Sequence, residues 1–105
     1  MTITQRKMDK RVRMGWRRHI LGALVSVYGP ITDVRRPTHE VVIADVMFPS
    51  GYGAYFTEVT RGRPAPVTRA ILLARVLEYA ARIHPGITLA PHAKYTDRWR
   101  FVLPS

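Results

Sequence analysis

Apolar residues recur at the helical period near the amino terminus. Their positions place one apolar stripe along a helix, formed by Met8, Val12, Trp16, His19, Ile20, Ala23, Leu24 and Val27. Gly29-Pro30 follows this stripe, and a glycine–proline pair is typical of a helix end. The pattern therefore predicts a first helix over residues 5–27, with a basic, half-exposed first half and a buried second half.

The next apolar run, Glu40 to Phe48, is rich in β-branched residues and alternates little. This pattern is typical of a central strand covered on both faces. Turn residues occupy positions 49–53, and residues 54–60 are again β-rich. The two runs therefore predict a β-hairpin.

A second helical pattern extends from Pro66 to His84, with proline suited to its first turn. Pro85-Gly86 ends it, and a short apolar segment follows at 87–89. The last predicted strand covers residues 95–103, where Trp99 and Phe101 alternate with arginines.

These elements predict an α+β fold in the order α-β-β-α-β, with a possible extra short strand at Ile87. We expect the two helices to pack on one face of a small, mainly antiparallel sheet of three or four strands. A chain of 105 residues has the size of one domain. We therefore divide it into a basic N-terminal helical arm, residues 1–18, and a single α+β domain, residues 19–105.

Residues 18–28 and 69–79 are identical at six of eleven positions. Two explanations are open: an internal duplication of a helix, or coincidence between apolar helices that use few residue types. A duplication predicts that both segments adopt the same structure.

Positive charge is the strongest compositional signal. The chain has 17 Lys and Arg against 7 Asp and Glu, a net charge of +10. Such an excess favours a polyanionic partner, nucleic acid first. Seven basic residues fall in the first 18 positions, which predicts that the arm is the principal polyanion contact: Arg6, Lys7, Lys10, Arg11, Arg13, Arg17 and Arg18.

The segment Arg61-Gly62-Arg63-Pro64 resembles the core of an AT-hook, a short DNA-binding motif. The resemblance implies that Arg61 and Arg63 enter the narrow minor groove of A·T-rich DNA, whose negative potential attracts arginine. The same residues also suit an arginine-bearing polar loop in front of a helix. We favour the loop, in which these arginines contact phosphates without reading sequence.

Aromatic residues interleaved with arginines raise the possibility of a surface for single-stranded nucleic acid. We expect Trp16 and Trp99 in the core, because both lie on apolar faces, and Tyr52 and Tyr55 near the exposed hairpin tip. Arg98 and Arg100 project from one face of the last strand, where they could extend the basic surface of the arm.

Candidate catalytic chemistry is sparse. The chain has no cysteine, and its four histidines show no metal-binding spacing. Asp45 stands inside an apolar strand, so we expect a buried carboxylate paired with an arginine. The sequence thus predicts no catalytic residue, no metal site, no cofactor and no enzymatic activity.

The leading hypothesis is a small, cytoplasmic, non-enzymatic protein that binds DNA or RNA through arginine–phosphate contacts with low sequence specificity. The alternative is a protein-interaction module, such as an inhibitor or an assembly component encoded by a phage or mobile element. Such a module would dock on an acidic protein surface or a nucleoprotein particle. The apolar run 20–28 is too short to cross a membrane.

Overall fold

The protein has an α+β fold in a computed structural model. The structure describes residues 2–3 and 10–105, and side chains from residue 12 onward. Its elements are β1 (Thr2–Ile3), α1 (Lys10–Arg18), a 3-10 turn (Ile20–Gly22), β2 (Leu24–Asp33), β3 (Arg36–Met47), β4 (Gly53–Val59), α2 (Ala65–Ile83), β5 (Thr88–Pro91) and β6 (Arg98–Val102).

The strands form one sheet in the order β1-β4-β3-β2-β6-β5, and each neighbouring pair is antiparallel. The predicted α+β class, two helices and antiparallel pairing are therefore confirmed. The predicted count of three or four strands is too low. Residues 24–33 form a strand whose first four residues were predicted to be helical, and two further residues add a strand at the β4 edge.

The first helix ends at Arg18, nine residues before its predicted end. Residues 24–28 also fit the two-residue repeat of a strand, in which every second side chain is buried. This repeat puts Val25 and Val27 on the buried side of β2. Both residues are β-branched, which favours a strand over a helix. The predicted start of this helix at Gln5 lies outside the described residues.

Gly29-Pro30 lies inside β2 and does not end a helix. The pairing of β2 with β3 shifts between Tyr28 and Ile31, which marks a bulge. Gly29 has a φ of 105°, and a Cβ there would lie 2.8 Å from the carbonyl oxygen of Val41. Glycine is therefore required at this bulge.

The two similar segments, 18–28 and 69–79, adopt different structures. The first is a 3-10 turn followed by a strand, whereas the second lies within α2. A structural duplication is therefore absent, and the second explanation, coincidence, remains.

Both helices pack on the same face of the sheet. Buried residues alternate along β3, where Val42, Ala44 and Val46 face the helices. The predicted central position of this strand is confirmed. Its predicted cover on both faces is wrong along residues 43–47, because Met47 on the other face is 49% exposed.

Trp16 occupies the centre of this one-sided core and is fully buried. Its ring makes edge contacts with four aromatic rings at centroid distances of 5.0 to 6.2 Å, those of Phe48, Phe56, Tyr79 and Phe101. The predicted core positions of Trp16 and Trp99 are confirmed, although Trp99 is only partly buried. The division of the chain at residue 18 stays a prediction, and α1 contributes Val12 and Trp16 to the common core.

We expect Trp16→Ala to lower the free energy of unfolding by about 3–5 kcal/mol, because it leaves a large cavity between four rings. Chemical denaturation measures the change. Leu21→Ala, at an exposed apolar position, is the control and should cost less than about 1 kcal/mol. Equal midpoints for the two variants would contradict the central role of Trp16.

Candidate functional site

The sheet face opposite the helices carries the candidate site, and we call it the open face. None of the described helices covers it, because both pack on the other side. Its side chains come from four strands and follow from the register, namely Leu24, Ser26, Tyr28, Ile43, Asp45, Met47, Tyr55, Thr57, Arg98 and Arg100.

One row of paired residues crosses the middle of the open face. Arg98 of β6 pairs with Ser26 of β2, which pairs with Asp45 of β3, which pairs with Tyr55 of β4. Neighbouring strands lie about 4.8 Å apart. The row therefore places an arginine and a tyrosine about 14 Å apart, with a carboxylate between them.

Asp45 is neither buried nor paired with a described arginine, so that prediction is wrong. The carboxylate lies on the open face at intermediate exposure and accepts a hydrogen bond of 3.4 Å from the hydroxyl of Tyr28. Its neighbours Ala44 and Val46 are buried because they point to the helices, and strict alternation turns Asp45 the other way.

Tyr28 was predicted to lie just after the end of the first helix, and sequence reasoning missed it as a candidate site residue. It is 42% exposed on the open face. Burial of part of the ring raises the pKa of its phenol, and the charge of Asp45 and the hydrogen bond to it raise that pKa further. The period-two pattern of residues 24–28 is the signal that could have revealed it.

Arg98 and Arg100 project from the same face of β6, as predicted, opposite the partly buried Trp99 and the buried Phe101. The guanidinium of Arg98 lies 4.7 Å from the centre of the Tyr95 ring. The imidazole of His92 lies 5.0 Å from the same ring. A cation over an aromatic ring is stabilised by about 0.5–1 kcal/mol at an exposed site, which favours this orientation of Arg98.

The helical part of the predicted basic arm that the structure describes, Lys10–Arg18, lies on the other side of the sheet. Arg13, Arg17 and Arg18 are exposed on α1, which packs on the helix-covered face. They form no continuous surface with Arg98 and Arg100, contrary to one of the hypotheses above. The side chains of Lys10 and Arg11 and the whole of Arg6 and Lys7 lie outside the described residues.

The AT-hook-like segment forms a tight turn, whereas a hook needs an extended backbone. Arg61 and Gly62 have φ of 51° and 74°, and the Arg63 amide donates to the Thr60 carbonyl at 2.9 Å. The Arg63 side chain binds the Glu58 carboxylate at 3.1 Å and the Val59 carbonyl at 2.6 Å. Arg63 therefore stabilises the fold and cannot enter a groove, and Arg61 alone stays exposed.

Ion pairs divide the described arginines into two groups. Arg63 and Arg75 pair with Glu58, Arg69 with Asp97, and Arg82 with Glu78. The second group forms no ion pair with any described acid and supplies the positive surface potential; its members are Arg13, Arg17, Arg18, Arg35, Arg36, Arg61, Arg98 and Arg100. Arg35 and Arg36, at the tip of the β2–β3 hairpin, were missed as site residues.

A groove of about 370 Å³ lies at one end of the open face. The bulge in β2 allows the hairpin end to turn over the sheet, so that residues 31–36 face β3 and β4. The floor is formed by Val41, Ile43 and Val59, and Tyr55 and Thr57 line it as well. This groove depends on the change of register between β2 and β3, which no sequence pattern predicted.

Among the described residues, no group of three or more His, Cys, Asp or Glu side chains is arranged to hold a metal ion. None of the described helices is both long enough and apolar enough to span a bilayer.

Tyr52 and Tyr55, predicted near the hairpin tip, are 37% and 45% exposed.

We expect Asp45→Asn to lower the pKa of Tyr28 while leaving it above the ordinary value, because burial is the larger cause. A titration of tyrosine absorbance, with Tyr28→Phe subtracted, measures this pKa. Since folding raises the pKa, the contribution of Tyr28 to stability is present below about pH 10 and is lost as pH rises through the raised pKa. An unchanged titration in Asp45→Asn would refute the contact.

We expect Arg63→Ala to destabilise the protein by about 1–3 kcal/mol, because it removes a hydrogen-bonded partner of the buried Glu58. Arg61→Ala, the matched control in the same turn, should change stability by less than about 0.5 kcal/mol. Denaturant midpoints measure both.

Binding to A·T-rich and G·C-rich duplexes should fall equally in Arg61→Ala, and a selective loss on A·T-rich DNA would instead support minor-groove reading.

Comparison with known proteins gives no relative for this chain. No family model matches it, and neither a curated protein nor a solved structure is similar to it.

Proposed function

We propose that this chain is a non-enzymatic nucleic-acid-binding protein that contacts phosphates through arginines and holds a single strand on its open face. The observation that carries the proposal is the placement of partly exposed tyrosines on a sheet face that no described helix covers, beside arginines that pair with no described acid. Such a protein acts where nucleic acid is found, and we propose the cytoplasm.

The net charge of +10 attracts a polyanion to this protein. Arginines already bound to carboxylates add little to the attraction of a polyanion, since their charge is locally neutralised. Arg98 and Arg100 lie along one side of the open face, and Arg35 and Arg36 lie at the hairpin end. A strand that crosses the face therefore meets positive charge at two places, and each phosphate contact releases counterions.

Three partly exposed tyrosine rings can stack on bases. They belong to Tyr28, Tyr55 and Tyr95, which are 42%, 45% and 50% exposed. Stacking of a base on an exposed aromatic ring contributes about 1–3 kcal/mol and tolerates any base. Flat sheets that present aromatic rings suit unpaired bases better than a closed duplex. In the middle of the face, Asp45 is the one charged acceptor, so we propose low sequence specificity.

The helix side offers a second contact surface. Nine residues of α1 extend about 13 Å, and Arg13, Arg17 and Arg18 are exposed along it. Phosphate contacts from this helix need no unpaired base. We therefore assign it to sequence-independent binding that duplexes and single strands share.

A salt titration separates the two surfaces. On a single-stranded homopolymer, Arg98→Gln with Arg100→Gln should flatten the slope of log K against log salt by about 1.4, at about 0.7 per contact. On a duplex, replacing Arg11, Arg13, Arg17 and Arg18 with glutamine should flatten it by about 3–4. Both proteins should stay folded, because the described members of these sets lie outside the core.

Arg82→Gln is the control for both measurements, because it removes one charge from an exposed ion pair on α2. Its slope should match that of the wild type. Unchanged slopes in both folded multiple variants would remove both surfaces from the binding site and overturn the proposal.

A second candidate function is a protein-interaction module. The observation that favours it is apolar: Leu24 and the half-exposed Met47 pair on one side of the row that holds Asp45, and Ile43 lies on the other side of that row. An exposed apolar patch with a polar rim marks many protein interfaces. Copurification from the native host with and without nuclease distinguishes the two, since a protein partner survives the nuclease.

A further inference from the structure

The groove at the hairpin end of the open face has a size and a lining that stacking of bases on the tyrosines does not require. Its volume of about 370 Å³ is near the lower end of the range of ligand sites, about 300–1,000 Å³. It therefore has room for one group of nucleoside size. Its walls come from the hairpin turn on one side and from β3 and β4 on the other.

The floor of the groove is apolar and partly withdrawn from water. Val41 lies on the open face yet is only 6% exposed, because the turned hairpin end shields it. Ile43 and Val59 continue this floor, and Tyr55 adds an aromatic wall. An apolar groove bordered by an aromatic ring suits a flat ring system, because the faces of that ring system can pack against the apolar floor and the aromatic wall.

The rim of the groove is charged. Arg35 and Arg36 are exposed and form ion pairs with none of the described acids. Asp33 lines the same rim, and one of its oxygens accepts the backbone N–H of Arg35 at 3.0 Å. Two cations suit phosphates at the mouth, whereas the second carboxylate oxygen of Asp33 suits a donor group inside.

We propose that this groove holds a single unstacked base that bears an exocyclic amino group, cytosine, adenine or guanine, with its adjoining phosphates on Arg35 and Arg36. This inference rests on the proposed function and deepens it. A carboxylate accepts a hydrogen bond from the amino group of cytosine, adenine or guanine. Uracil and thymine have no exocyclic amino group and carry a carbonyl oxygen, which a carboxylate repels, where cytosine has its amino group. An apolar peptide side chain would fill the floor but leave both arginines and Asp33 without a role.

Mononucleotides test the groove apart from the rest of the surface, because one nucleotide cannot span the open face. In an NMR titration of the full chain, cytidine 5′-monophosphate should shift the amides of Val41, Thr57 and Val59. Uridine 5′-monophosphate should bind about fivefold or more weakly. Ribose 5-phosphate should shift only the rim amides of Arg35 and Arg36.

Single substitutions define the roles within the groove. Asp33→Asn keeps the oxygen that accepts the Arg35 N–H, and it should remove the preference for the cytidine nucleotide without unfolding the turn. Arg36→Gln should weaken all three ligands severalfold. Arg82→Gln, which removes one charge far from the groove, should leave all three affinities unchanged.

The outcomes separate this inference from the proposed function. If a cytosine oligonucleotide shifts Tyr28 and Arg98 but neither it nor the mononucleotide shifts Val41 and Val59, the groove inference is wrong and the proposed function stands. If no oligonucleotide binds, both are wrong. If only an apolar peptide shifts the floor amides, the groove is a protein-binding site and the inference is overturned.

Discussion

The packing of Trp16 against four aromatic rings is the constraint on which the rest of the structure depends. These rings come from β4, α2, β6 and the turn after β3, so one side chain joins elements that are distant in sequence. The approach is close: a Cβ on Gly15 would lie 2.7 Å from the ring of Phe48. Because all of these contacts lie on one face of the sheet, the core is one-sided and the other face is left for solvent or a ligand.

A one-sided core also explains how the charges are distributed. Glu58 is the buried acid among the described side chains, and it lies on the helix-covered side. Leaving a carboxylate unpaired there would be costly, and Arg63 and Arg75 both bind it. On the open face Asp45 stays partly hydrated and needs only the hydroxyl of Tyr28. Ion pairs therefore neutralise part of the arginine charge on the helix side, whereas Arg98 and Arg100 on the open face pair with no described acid.

The sequence predicted the elements whose patterns are local and unambiguous: α2, the β3–β4 hairpin and β6. It failed at residues 24–28, where the apolar positions satisfy both the helical and the strand period and β-branching favours the strand. The role of Arg63 depends on a turn with two left-handed residues, and the groove depends on a bulge. The groove brings the hairpin end against β4, which is distant in sequence, so Arg35 and Arg36 could not be assigned to a site from spacing alone.

The two basic surfaces are electrostatically separate because of the thickness of the molecule. Its shortest dimension is 23 Å, whereas the screening length at physiological ionic strength is about 8 Å. Arginines on α1 therefore contribute little to the potential over the open face. A short strand can occupy only one surface, and a longer one must pass around a sheet edge to reach both. The proposed function therefore requires two modes of binding, one through the helix to any polyanion and one through the open face to unpaired bases.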